Sequence, residues 1–442
     1  MSWLENVEKK LKEKGVKVKR EEEREREERE ERVRQLVTRR KILPPLPKKR
    51  LFEFGKKKKE EPKKPLGGGA PEYDLVEKSG KYTYAFNLEK KVMYVWGAGD
   101  AKGKWGCLAP LVANDKILEI HVRGSSVAVK HALGRFDVRF MDTVVDEPRI
   151  ARLLSNLSAY SLANVDFQNP SGYGELDDFR IYFKLPITSG KPEMVAARIV
   201  EIPDVTDWLP NITASRLLTL CLLSHATVIF GPPGSGKTTF LNSLLDKVIE
   251  LYPHVNMSVV ETVPELQLPD APNIHRTAVM FSEKADEKEG GLDISEAVSR
   301  AFRFERPDIL VLGELRSDAL RSWQEVARSG IPTMTTTHAP SLEGCVKSLE
   351  SMLESAGVPL SLTEHFKVYV EVRRVESSQG ERTLRYVDSI YYFYRPETVA
   401  VIYGDGAIGE EKFVELISGK KTLFGSALEV YKMFKAALGV LG

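Results

Sequence analysis

Nine residues, GPPGSGKTT at Gly231–Thr239, constrain this chain more than any other stretch. They match G-x-x-x-x-G-K-[ST] in full, directly after the apolar run ATVIF and directly before a helix-like segment from Lys237 to Leu251. The spacing has a mechanism. Gly231, Gly234 and Gly236 let backbone N–H groups curl around phosphate oxygens without Cβ clashes. A helix starting at Lys237 adds its positive dipole end. Lys237 then reaches the β- and γ-phosphates, and the Thr238 hydroxyl is placed to bind Mg²⁺. The expected binding loop is the whole run: Gly231, Pro232, Pro233, Gly234, Ser235, Gly236, Lys237, Thr238 and Thr239. Its expected ligands are ATP and Mg²⁺.

Around this loop, strand-like and helix-like segments alternate from about residue 206 onward: ATVIF, MSVVE, DILVLG and TMTTT are separated by helical patterns. Such alternation argues for a mostly parallel sheet flanked by helices. Residues 71–205 read differently. Alternating runs such as YTYAFNL, VMYVW, ILEIHVR, SVAVKH and FRIYFKLPI, with a helix-like stretch from Pro148 to Leu162, indicate an α+β module. Residues 1–70 form a charged tail. It holds a short helix with Trp3, Leu4, Val7 and Leu11 on one face, a Glu–Arg-rich helix, and a Pro/Gly/Lys linker. The expected organisation is therefore tail 1–70, α+β domain 71–205 and motor domain 206–442.

Charge sharpens this division. Residues 1–64 contain 24 Lys+Arg against 14 Asp+Glu, which leaves 41 basic and 49 acidic residues in the rest of the chain. An acidic body argues against a surface built to coat nucleic acid. Three scattered cysteines exclude a disulfide framework and offer no CxxC pair for zinc. The N-terminus lacks the apolar core of a signal peptide. The longest near-apolar stretch, Leu217 to Phe230, is interrupted by Ser224 and His225 and is too short to span a bilayer. The expected location is cytoplasmic, peripheral at the inner face of the cell membrane.

Three strands after the loop end in polar residues. DILVLGELR runs into Glu314, MSVVE into Glu261 and TMTTTHA into His338. In open α/β sheets ligands bind at the carboxyl ends of the strands. A carboxylate there can polarise an attacking water or hold a Mg²⁺-bound water. Each residue alone fits a solvated loop equally well; the joint placement is what points to a site.

The order GPPGSGKTT, VVETVPEL, RPDILVLGELR and TTTHA resembles the type II/IV superfamily of secretion and pilus-assembly ATPases, with the archaeal branch nearest in pattern. The resemblance implies a RecA-like motor and assigns the segments as Walker A, Asp box, Walker B and His box. It carries Glu261, Glu265, Glu314 and His338 into the site, with Thr238, Glu261 and Glu314 at the metal. The family has a Glu-Asp pair where this chain reads Glu261-Thr262, so no second aspartate is carried over. In the family, arginines complete a site between the two domains of a homohexamer. Arg276 and Arg316 are the expected ones here, ahead of Arg300, Arg303 and Arg306. The implied partners are a polytopic membrane platform protein and, through it, a pilin or secreted cargo.

Two rival readings share the same loop: a nucleic-acid translocase or conjugation-type ATPase, and an ATP-gated scaffold with little turnover. The tail yields its own expectation, a docking face for an acidic loop or an anionic membrane surface. Deleting residues 1–64 should leave nucleotide binding intact and weaken co-sedimentation with anionic vesicles at low salt. Equal sedimentation of the truncated and full-length chains would exclude that role.

Overall fold

Apolar residues recur at every second position through much of 82–198, and a period of two places them on one face of a strand. A computed structural model of the protein describes residues 71–99, 103–163, 165–167, 169–279, 293–355, 357, 365–376, 383–395 and 398–440. The tail helices and linker expected over 1–70 lie outside the described residues. All described residues fall in one compact unit.

The first sheet has nine strands: β1 (Leu75–Ser79), β2 (Tyr82–Asn87), β3 (Val92–Trp96), β4 (Ile117–Arg123), β5 (Ser126–His131), β6 (Gly134–Phe140), β7 (Ser171–Leu176), β8 (Phe179–Lys184) and β9 (Glu193–Arg198). Their order is β1-β2-β3-β6-β5-β4-β9-β8-β7. Only the β3–β6 pair is parallel. Helix α1 (Glu147–Tyr160) starts where Asp146 accepts a hydrogen bond from the Arg149 amide, and it buries Ile150, Leu154 and Leu157. That i, i+4, i+7 spacing is one helical face. It packs into a core with Phe179, Ile181 and Phe183. β1 and β7 carry little apolar alternation and were not legible as strands. Both are edge strands, formed by pairing with a neighbour rather than by burying a face of their own.

The second sheet has eight: β10 (Ala226–Gly231), β11 (Met257–Glu261), β12 (Ile274–Ala278), β13 (Ile309–Glu314), β14 (Thr333–His338), β15 (Phe366–Glu376), β16 (Thr383–Arg395) and β17 (Thr398–Tyr403). Their order is β12-β11-β13-β14-β10-β15-β16-β17. The first six are parallel, and β15, β16 and β17 pair antiparallel. Every residue of β10 and of β11 is buried, the signature of strands covered on both faces.

Helices α2 (Asn211–Cys221) and α3 (Lys237–Leu251) bring Leu217, Leu220, Phe240, Leu241, Leu244 and Val248 into one core with Ile229, Val259, Val311 and Val370. The helical pattern between MSVVE and DILVLG is α-helical only over Ile294–Arg300 among the described residues. It then widens into a π-turn over Ala301–Glu305 and ends at Arg306, whose φ is +51°. Among the described residues no helix is long and apolar enough to cross a membrane.

Leu244 is fully buried on α3, the helix that carries Lys237 at its start. Leu244→Ala should cost about 2–5 kcal/mol of stability, read as a lowered urea midpoint with an unchanged slope.

Candidate nucleotide site

The site is built on the ends of four adjacent parallel strands. Reading across the sheet, β11 ends in Glu261, β13 in Glu314, β14 in His338 and β10 in Gly231. Gly231 and His338 are register partners. The β13–β14 register shifts between Leu312 and Glu314, so Gly313 forms an irregularity and Glu314 faces Thr336. The Thr336 hydroxyl donates to the Gly313 carbonyl at 2.7 Å and holds this shift. Irregularities of this kind re-aim the side chain that follows.

The loop is shaped by what surrounds it. A β-carbon on residue 231 would lie 2.1 Å from the Val372 carbonyl oxygen of β15, so only glycine fits there. Gly236 is the N-cap of α3 with φ +96°, a left-handed conformation that other residues adopt at a cost. It offers α3 no side-chain cap, which leaves the first-turn N–H groups available to a ligand.

Lys237 follows and is almost wholly buried, 6% exposed. Its ammonium donates to the Pro232 carbonyl at 3.2 Å and lies 3.1 Å from His338 Nδ1. Burial lowers the Lys237 pKa from its ordinary value, with Glu314 and Glu265 opposing the shift. An ammonium can only donate, so His338 Nδ1 accepts and the ring proton sits on Nε2. That nitrogen faces Glu314 Oε1 at 3.4 Å. Burial, and then the charge of Lys237, lower the His338 pKa as well, in keeping with a neutral ring. The other oxygen of Glu314 accepts from Arg316 at 2.7 Å. Lys237, His338, Glu314 and Arg316 therefore form one continuous polar chain.

Glu261 and Arg276 form a second group next door, and Glu261 Cγ lies 3.1 Å from where a β-carbon on Gly313 would be. The Glu261 carboxylate is 3% exposed. Its Oε1 accepts the amides of Glu265 and Leu266 at 2.8 and 2.9 Å. Arg276 donates to the Leu266 carbonyl at 2.6 Å and stands 3.7 Å from Glu261 Oε2. Burial raises the Glu261 pKa, against the two amide bonds and Arg276, which lower it. Thr238 and Thr239 line a cavity of about 150 Å³ together with Asn242, Glu265, Gln267, Arg180 and Arg198. The last two come from the first sheet, and Arg180 donates to the Glu265 carbonyl at 2.6 Å.

Arg300 pairs with Glu296 one turn away on an exposed helix face, and Arg303 lines a surface recess beside exposed Phe304. The arginines that approach the loop or its flank include three that motif spacing did not point to: Arg180, Arg374 and Arg385. No motif marks them. Only the placement of β8 and β15–β16 brings them there.

The loop fits a phosphate group. It combines an uncapped helix start, a buried lysine and the Ser235 hydroxyl, which is fully buried and has no hydrogen-bond partner. Mg²⁺ is commonly held by one or two carboxylates together with substrate phosphates. The Thr238 hydroxyl and the Glu314 carboxylate are of the right chemistry for such a shell.

A central phosphate-binding loop with acidic strand ends beside it defines a RecA-like P-loop nucleotide-binding domain, here preceded by an α+β domain. Residues 207–413 match the model of the type II/IV secretion system protein family. It is 25% identical over 274 residues to an uncharacterised protein, MJ0900, of Methanocaldococcus jannaschii, covering 60% of this chain and 48% of that one. It is 28% identical over 178 residues to the type IV secretion system protein VirB11 of Brucella suis, covering 38% and 48%. The chain thus spans about half the length of these curated relatives. The X-ray structure of the Yersinia pseudotuberculosis ATPase DotB superposes with a TM-score of 0.50 at 13% identity, covering 86% of this chain and 92% of that one. That likeness concerns the fold alone.

Glu261 supplies a pH test. A folded-state pKa raised above that of the unfolded chain contributes stability that is full below the unfolded value and lost as pH rises through the folded one. Glu261→Gln keeps an acceptor for the two amides and removes the buried charge. The difference in Tm between variant and parent should therefore grow in the variant's favour as pH rises through and above the ordinary glutamate range. A difference independent of pH would contradict this account.

Proposed function

We propose that this chain is the ATPase subunit of a homohexameric ring that powers pilus or filament assembly, or protein secretion, through a polytopic membrane platform protein. In this reading it works at the cytoplasmic face of the membrane. The observation that carries the reading is the row of strand ends, Gly231, His338, Glu314 and Glu261, set side by side with Lys237 buried beside them. The match of residues 207–413 to the type II/IV secretion system protein family supports it.

Each residue then has a task. The loop amides and the start of α3 bind the phosphates, and Lys237 neutralises charge on the β- and γ-oxygens. Mg²⁺ would supply further charge neutralisation at the phosphates. The Thr238 hydroxyl would hold the metal, and Glu261 Oε2, which faces Arg276 rather than the 265–266 amides, would accept from a metal-bound water. Glu314 orients the attacking water. Arg316 fixes the Glu314 carboxylate through a charge-assisted bond. His338 stands on Lys237 where a γ-phosphate would compete for the same ammonium, so it reads whether the lysine is engaged. Arg276 steadies the 265–266 turn and the Glu261 carboxylate.

Glu314→Gln should retain ATP binding and lower phosphate release at least about 100-fold, the usual scale of a lost general base. Lys237→Ala should abolish binding in the same assay. Hydrolysis by Glu314→Gln at the parent rate would move the chemistry to another carboxylate. Running the assay with and without DNA separates the secretion reading from a translocase, whose turnover DNA would stimulate.

A further inference from the structure

Strand β15 runs along β10 on the side away from His338, and it turns back into β16. In that antiparallel hairpin Arg374 and Arg385 are direct register partners. Directly opposite residues project from the same face of a sheet. Both arginines meet the phosphate-binding loop. Arg385 Nε donates to the Gly234 carbonyl at 3.1 Å. The Arg385 side chain lies along Gly236, its Cδ 2.8 Å from where a β-carbon there would be. Arg374 Nη1 lies 2.7 Å from the corresponding point on Gly234.

Two facts make this pairing informative. Like charges directly opposite one another carry a mutual repulsion in a strand pair. An anion between the two groups would turn that repulsion into attraction. The loop they flank is also the one that fits phosphate, with Lys237 and the start of α3 across from them. The bond to Gly234 uses only Nε of Arg385, and a guanidinium carries further donors in a planar fork matched to phosphate oxygens.

We propose that Arg374 and Arg385 form a guanidinium clamp that contacts the polyphosphate of the bound nucleotide from within the same chain. The inference rests on the reading of the loop as a nucleotide site and adds two ligand-contacting residues to it. Arg385 holds the loop open through Gly234 when no nucleotide is present and closes on phosphate oxygen when one is. The clamp recognises the phosphates rather than the base, so inorganic tripolyphosphate is a sufficient ligand.

The test uses the full chain and four variants, Arg374→Ala, Arg374→Lys, Arg385→Ala and Arg385→Lys, with Lys237→Ala as a control. Affinities for Mg-ATP and for tripolyphosphate are measured by calorimetry at two salt concentrations, and melting temperatures are measured with and without tripolyphosphate. Each alanine variant should lose about tenfold in affinity for both ligands, the scale of one charge-assisted hydrogen bond. Its salt dependence should be shallower and its ligand-induced rise in Tm smaller. The lysine variants, which keep the charge without the fork, should fall between alanine and parent. The Tm of the ligand-free alanine variants reads the structural share of each side chain, and the loss of affinity and of salt dependence should appear on top of it. Parent-like affinities in both alanine variants overturn the clamp. A fall in ligand-free Tm with unchanged salt dependence also overturns it and makes the arginines structural struts. A parent chain that binds neither ligand, or binds them equally well after Lys237→Ala, overturns the reading of the loop itself. Binding that Lys237→Ala abolishes and both arginine variants retain overturns only the clamp.

Discussion

The close approach of β15 to the end of β10 sets the terms for everything at the site. With the Val372 carbonyl 2.1 Å from any β-carbon at residue 231, the chain must be glycine where the central strand ends. It can therefore turn sharply into the loop while the sheet continues unbroken on both sides. β14 and β15 both pair with β10 in parallel, so their ends, like those of β13 and β11, reach the same edge. A parallel sheet delivers its carboxyl ends together. An antiparallel one would have scattered Glu261, Glu314 and His338 to opposite edges.

Electrostatics then follows from burial. Lys237 is held in a place that disfavours its charge, and its nearest partners are a neutral imidazole and a backbone carbonyl rather than a carboxylate. A cation so placed is undersupplied with negative charge, and it interacts more strongly with an incoming phosphate than a paired lysine would. Glu314 is meanwhile occupied by Arg316 and faced by His338. Each of these bonds is one that, in the proposed reading, a triphosphate with its metal would replace. Glu261 differs. Its Oε1 is committed to two backbone amides, so part of this carboxylate is scaffold.

Much of this was legible in the chain itself. The loop at Gly231–Thr239 matches an eight-position pattern whose four fixed positions each have a local steric or electrostatic reason, and it joins a wholly buried strand to a helix as its neighbours imply. Glu261, Glu314 and His338 were legible because each closes a short strand-like run. The edge strands β1 and β7 were not, since pairing with a neighbour forms them. Nor was the length of the 293–305 helix, which a π-turn interrupts.

The arginines mark the boundary most clearly. Arg276 was expected at the site through the family resemblance, and it lies on β12 holding the 265–266 turn. Arg180, Arg374 and Arg385 carry no motif, yet they reach the site across 85 and up to 151 residues of chain. The sequence by itself determined the phosphate loop, the period of each strong strand and the strand-end acids, because those depend on neighbours a few positions away. Tertiary structure alone decided the strand order, the bulge that aims Glu314 and which guanidinium groups surround the loop. Long-range pairing depends on register between segments far apart, and no local pattern encodes it.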